Sequence, residues 1–301
     1  MSVGLALVAT VEEDWELQLN KGPRIDLVKV RGGDVPILIN KWEVFADHIL
    51  HAIKESLSRY DYAEAAELAS DVLKRPLSEE RQNHFQRIYT LARVFEAWDR
   101  FDHEEAYELL EPYAKDFVEH KIALERILGR SKRVSGYEKV GDLIRNAERR
   151  AIQSRYDDAV ARLYRALELF AQLRLKQILP MEETEREDAE EGFKIPLESL
   201  PKGLRDKYGP YIEKGVLKIG LVQDYELLAD LEDLVGLLFQ KQKEKMLNGL
   251  KRRNYSILAH GLSPLTETEY KDVRDKIVGF IEETAKEIEA DFWVPQLPTE
   301  F

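Results

Sequence analysis

The sequence predicts a mainly α protein with a short α/β segment at its N-terminus. From Lys41 onward, apolar residues recur with the 3.6-residue period of amphipathic helices almost everywhere. Much of the 34% charged share is Glu, Lys and Arg interleaved with Leu and Ala, the composition of solvent-facing helices. Before residue 40 the pattern differs, with two runs that alternate apolar and polar residues as strands do.

A chain of 301 residues suggests two domains and is long enough to bury a sizeable core. It has no cysteine, which excludes disulfides, thiolate zinc sites and thiol nucleophiles and fits a reducing cytoplasm. The net charge of −12 argues against a protein coated in nucleic acid while leaving room for a local basic groove. No apolar run approaches the roughly 20 residues of a membrane span. Val3 to Ala9 is apolar but has no basic flank and meets Glu12, Glu13 and Asp14, so it does not read as a secretory signal.

Along the chain, Met1 to Glu13 reads as a short helix, and Trp15 to Leu19 and Ile25 to Val30 as strands closed by Gly32-Gly33 and Pro36. Within the helical text, Arg59-Tyr60-Asp61, Arg100-Phe101-Asp102 and Arg155-Tyr156-Asp157 share one local pattern. Each Asp is expected to cap the next helix, with the aromatic residue stapled against its first turn. Met181 to Glu191 carries seven acidic residues and one arginine, which predicts a solvated loop. Pro196, Pro201 and Pro210 predict irregular chain. A long helix is then expected from about Asp224 to His260, ended by Gly261 and Pro264, and a last amphipathic helix from Thr266 to Glu289.

The segment with the most chemistry is Lys251 to Gly261. Arg253 and His260 are seven residues apart, so a helix puts them on one face, about 10.5 Å apart along its axis. The pair joins a permanent cation to the side chain that titrates near neutrality. Those are the groups phosphoryl transfer needs without a metal: one neutralises charge on a phosphorane, the other moves the proton of a ribose 2′-hydroxyl. Between Lys241 and Arg253 stand six basic residues and one acid, a local excess that suits a nucleic-acid backbone. An Arg and a His at this spacing also arise by chance, and a basic helix face is often simply solvated. His48 and His51, beside Asp47, have a metal-ligand spacing but no convincing third ligand, so no metal or other cofactor is expected. The scattered glycines form no dinucleotide or Walker loop.

The run Arg253-Asn254-Tyr-Ser-Ile-Leu-Ala-His260-Gly261, with Leu250 three residues before it, resembles the signature that ends the long helix of HEPN domains in CRISPR-associated CARF–HEPN effector ribonucleases of type III systems. Arg155 to Gln172 resembles the other core HEPN helix of that family. The resemblance implies a metal-independent ribonuclease whose active site is shared by two protomers. It points to Arg253, His260 and Asn254 as catalytic, and adds Lys251, Arg252, Ser256, Arg165 and Gln172 as candidate RNA contacts. Residues 1–40 resemble the tail of the family's nucleotide-sensing CARF domain, with most of the sensor missing. The expected division is therefore a CARF remnant at 1–40, a helical connector at 41–150 and a HEPN domain at 151–301. The expected partners are single-stranded RNA and a second copy of the chain, in the cytoplasm, and cyclic oligoadenylate binding is not expected of so small a remnant. A second reading stays open, in which the chain is a non-catalytic, dimeric helical interaction module of the same family.

Overall fold

The computed structural model describes residues 41–180, 195–213, 215–254 and 263–301. The helix and two strands read from residues 1–40, and the acidic segment starting at Met181, lie outside them. The described chain is mainly α and forms two compact units. One runs through Tyr113 and takes in Leu297–Phe301; the other is Ala114–Gln296.

The first unit contains α1 (Lys41–Ser58), α2 (Tyr62–Leu73), α3 (Glu79–Asp99) and α4 (His103–Leu110). Two of its turns follow the sequence reading. Asp61 and Asp102 each accept a hydrogen bond from the backbone N–H three residues on, of Glu64 and Glu105. The aromatic residue before each cap, Tyr60 or Phe101, adopts a positive φ to reverse the chain. Phe85, Ile88, Leu91, Ala92, Phe95 and Trp98 give α3 a fully apolar inner face. The C-terminal residues close this core: the Tyr62 hydroxyl donates to the Pro298 carbonyl at 2.8 Å, and Phe301 stacks on Phe95 at 5.5 Å.

The second unit is a helical bundle. It comprises α5 (Val118–Ile127), α6 (Glu138–Ile152), α7 (Tyr156–Ile178), α8 (Lys202–Tyr208), α9 (Leu221–Asp230), α10 (Leu234–Asn254) and α11 (Glu267–Glu287). The third Arg-aromatic-Asp pattern behaves differently from the first two. Here Ser154 takes the positive φ and Arg155 is the cap residue, so Asp157 falls inside the first turn of α7. Its carboxylate instead accepts from the Leu265 N–H at 3.1 Å, tying the start of α7 to the chain leading into α11. The proline-bearing stretch holds three antiparallel two-residue strands, β1 (Ile195–Pro196), β2 (Ile212–Glu213) and β3 (Val216–Leu217), in the order β1-β3-β2.

One helix expected from Asp224 to His260 is two. The chain turns through Leu231-Glu232-Asp233, with Glu232 at a φ of 59°, and α9 and α10 form a hairpin. Asp233 explains the break. One of its oxygens accepts the Val235 N–H at 3.0 Å, and the other takes Arg174 Nη2 of α7 at 2.7 Å. At Gly236 the two helices come into backbone contact, because an added Cβ would lie 2.1 Å from Ala229 N. The last helix follows its sequence reading closely: Thr266 caps α11 in a reciprocal box with Glu269.

Candidate active site in the helical bundle

Arg253 and Asn254 belong to the last turn of α10, so the structure of the site begins with what aims that helix. Its first half is fixed on three sides. The Phe239 ring stacks on Tyr225 of α9 at 4.1 Å, and Phe280 of α11 meets both rings edge-on at 5.7 Å. All three are buried, and each such pair adds about 0.5–1.5 kcal/mol beyond its burial. The Tyr225 hydroxyl donates to the Leu167 carbonyl of α7 at 2.9 Å, which locks the aromatic cluster to the bundle. Further along, Lys243 pairs with Glu226 at 2.8 Å and Gln242 donates to Glu283 at 2.9 Å.

These contacts set the direction of α10. Its start meets Arg174 near the C-terminal end of α7, so its basic last turns run toward the end where α7 begins. Several polar groups of α6, α7 and α11 gather at that same end. Arg162 donates to the Asn146 side chain and to the Asp158 carbonyl, and Arg274 reaches Glu148 at 3.3 Å. Tyr156 and Tyr270 lie ring to ring at 5.9 Å, and burial pushes the Tyr270 hydroxyl up to about 12.

The sequence-predicted residues stand as follows. Lys251, Arg252, Arg253 and Asn254 are helical at the end of α10, and their side chains lie outside the described residues. Ser256 and His260 also lie outside them. Arg165 and Gln172 are both on α7 and are joined to each other: Arg165 Nη1 donates to Gln172 at 2.8 Å and pairs with Glu168 at 2.7 Å. Gln172 is buried while Arg165 is about half exposed. This trio faces Asp224 of α9, which is wholly buried with neither carboxylate oxygen in a standard hydrogen bond. Burial first, and then Glu168, raise the Asp224 pKa well above the usual carboxylate value. Sequence reasoning missed Asp224, and an acid inside an otherwise amphipathic helix carries no sign of its burial. Among the described residues no group of three or more His, Asp or Glu side chains is placed to hold a metal ion. Among them, too, no helix is long and apolar enough to cross a membrane.

The bundle, with a basic helix end carrying Arg-Asn, defines a HEPN-type helical protein. The family model described as the Csm6 HEPN domain matches residues 132–284, which is 153 of 301 residues. A second, described as the Csm6 6H domain, matches residues 45–133. The chain belongs to the Csm6 family of CRISPR effectors, whose HEPN domains are generally ribonucleases. No curated protein matches it. The two matched regions meet at 132–133, ahead of α6, where the sequence reading set the division at 150.

Proposed function

We propose that the chain is a metal-independent endoribonuclease of CRISPR-associated defence that cleaves single-stranded RNA by attack of a ribose 2′-hydroxyl. The observation that carries this is the position of Arg253 and Asn254 in the last turn of α10, inside the matched HEPN region, with Arg253 seven residues before His260. His260 takes the proton of the 2′-hydroxyl, whose oxygen then bonds to the adjacent phosphorus. Arg253 neutralises the charge of the phosphorane, and Asn254 holds the local geometry. The 5′-oxygen leaves with a proton, giving a 2′,3′-cyclic phosphate and a 5′-hydroxyl. Lys251, Arg252 and Ser256 flank the scissile phosphate, and the half-exposed Arg165 is a more distant RNA contact, with the buried Gln172 holding its guanidinium. The active enzyme is a homodimer, because a two-fold axis supplies a second cation and imidazole to one phosphate.

The test is cleavage of a labelled single-stranded RNA by the parent, Arg253→Ala and His260→Ala, with folding checked by circular dichroism. Loss of either group is expected to slow cleavage at least about 100-fold. EDTA should leave the parent rate unchanged, and DNA should resist. Variants as fast as the parent, or activity abolished by EDTA and restored by Mg²⁺, would overturn the assignment.

A further inference from the structure

A second basic feature lies far from Arg253 in the same unit. The twelve residues between Glu125 and Glu138 carry four cations, Arg126, Arg130, Lys132 and Arg133, and no acid, on a chain of net charge −12. Two nearby carboxylates, Glu138 and Asp291, are already occupied. Glu138 is 2% exposed and accepts from Arg126 Nε and from the Ser135 and Gly136 N–H groups. Asp291 accepts from Arg126 Nη2 at 2.7 Å and from the Trp293 N–H. Lys132 and Arg133 are exposed and form no ion pair among the described residues.

Beside this loop stands an aromatic ring held out to solvent. Ser135 Oγ donates to the Asp291 carbonyl, which brings Arg133 and Trp293 each within two residues of one contact. Trp293 is 50% exposed, yet the strap that bears it is pinned. The Phe292 carbonyl lies against Gly141, where a Cβ would sit 1.8 Å from the oxygen. The Val294 carbonyl accepts from Arg145 Nε at 3.1 Å, and the Val294 side chain is buried. Exposed cations around a pre-organised aromatic face are what single-stranded nucleic acid needs: charge for its backbone and a platform for a base.

The geometry points to an anchoring subsite for single-stranded RNA, in which Lys132 and Arg133 hold phosphates and a base stacks on Trp293. This rests on the ribonuclease reading and extends it. Position supplies a consequence. Tyr137, which follows the loop, donates its hydroxyl to Gln177 near the end of α7, and the start of α10 meets Arg174 at that same end. The subsite therefore sits at the opposite end of the bundle from the last turn of α10. A 21-residue helix separates them by roughly 30 Å, or about nine nucleotides at 3.4 Å per stacked residue. Only long substrates reach both places.

The experiment compares cleavage of a 5-nucleotide and a 20-nucleotide RNA by the full chain, by Trp293→Ala and by Lys132→Glu/Arg133→Glu. For the longer RNA, KM is expected to rise by roughly tenfold with kcat unchanged. The charge-reversed variant should also lose salt dependence of KM. For the shorter RNA neither constant should move, and Trp293→Phe should restore the parent KM. Parent-like KM on the longer RNA, an equal loss on both RNAs, or a dimer falling to monomer in light scattering would each overturn the subsite while leaving the ribonuclease reading intact. A parent chain that neither cleaves nor binds either RNA would overturn both.

Discussion

Replacing Gly236 by Ala tests whether the α9–α10 hairpin aims the helix that carries Arg253 and Asn254. In an isolated helix the change stabilises by about 1 kcal/mol, because alanine is the better helix former. In this bundle the new Cβ would lie 2.1 Å from Ala229 N and 2.4 Å from the Leu228 carbonyl carbon, both main-chain atoms that cannot rotate away. Ordinary contact begins at 3.4 Å, so the helices must part by about 1.3 Å, the difference between 3.4 and 2.1. Overpacking of this kind costs about 1–3 kcal/mol, and a rigid backbone partner puts the cost at the top of that range. The net expectation is a loss of about 2 kcal/mol, or roughly 4–8 °C in Tm for a unit of this size. Because the displacement occurs in the first turn of the helix that ends at Arg253 and Asn254, cleavage should fall as well, since a 1 Å misplacement can cost about 100-fold. Thermal melts by circular dichroism and single-turnover cleavage below the melting transition measure the two effects separately. A variant that is more stable than the parent, as propensity alone predicts, would refute the close contact and the hairpin with it.

Two further perturbations address the same bundle. Burial raises the Asp224 carboxyl well above the ordinary 3.8, so between the two values the folded chain holds a proton that the unfolded chain releases. Stability is then lost as pH rises from about 4 through the native pKa. Asp224→Asn should remove that loss and gain on the parent as pH rises above about 4 in urea melts; a gap independent of pH would count against a raised carboxyl. Thr266→Ala removes the side chain that accepts the Glu269 N–H, and should cost about 1 kcal/mol while Thr266→Asn retains most of it. An alanine variant of unchanged Tm would show that the capping box does not hold the start of α11.

Local chemistry was legible in the sequence wherever a few adjacent residues settle the structure. Asp61, Asp102 and Thr266 announce their helices because a side-chain oxygen near a helix start finds its N–H within three residues. Asp157 is preceded by the same Arg-Tyr pair as Asp61, but its partner is the Leu265 N–H, 108 residues away. The α9–α10 break was hidden for a similar reason. No glycine or proline stands in Leu231-Glu232-Asp233, and Glu232 takes the left-handed turn in place of a glycine. What stabilises that turn is Arg174 on Asp233, a pairing across 59 residues that no local pattern reveals.

The same distinction governs the site. Arg253, Asn254 and His260 are visible as a short motif because the proposed chemistry would require a cation and an imidazole at helical spacing. The direction of α10, whose last turn carries Arg253 and Asn254, is set elsewhere, by Asp233 and Gly236 at its start, by the Tyr225, Phe239 and Phe280 rings, and by Lys243 on Glu226. None of these residues has a reason in the RNA chemistry, so substitutions among them should alter the cleavage rate through position alone. A variant such as Lys243→Met would then lower kcat while leaving its pH profile in place, because the proposed catalytic imidazole is untouched. Arg253→Ala would leave a residue whose absence no repositioning can repair. Separating those two signatures identifies which part of the helix supplies reacting groups and which part supplies their direction.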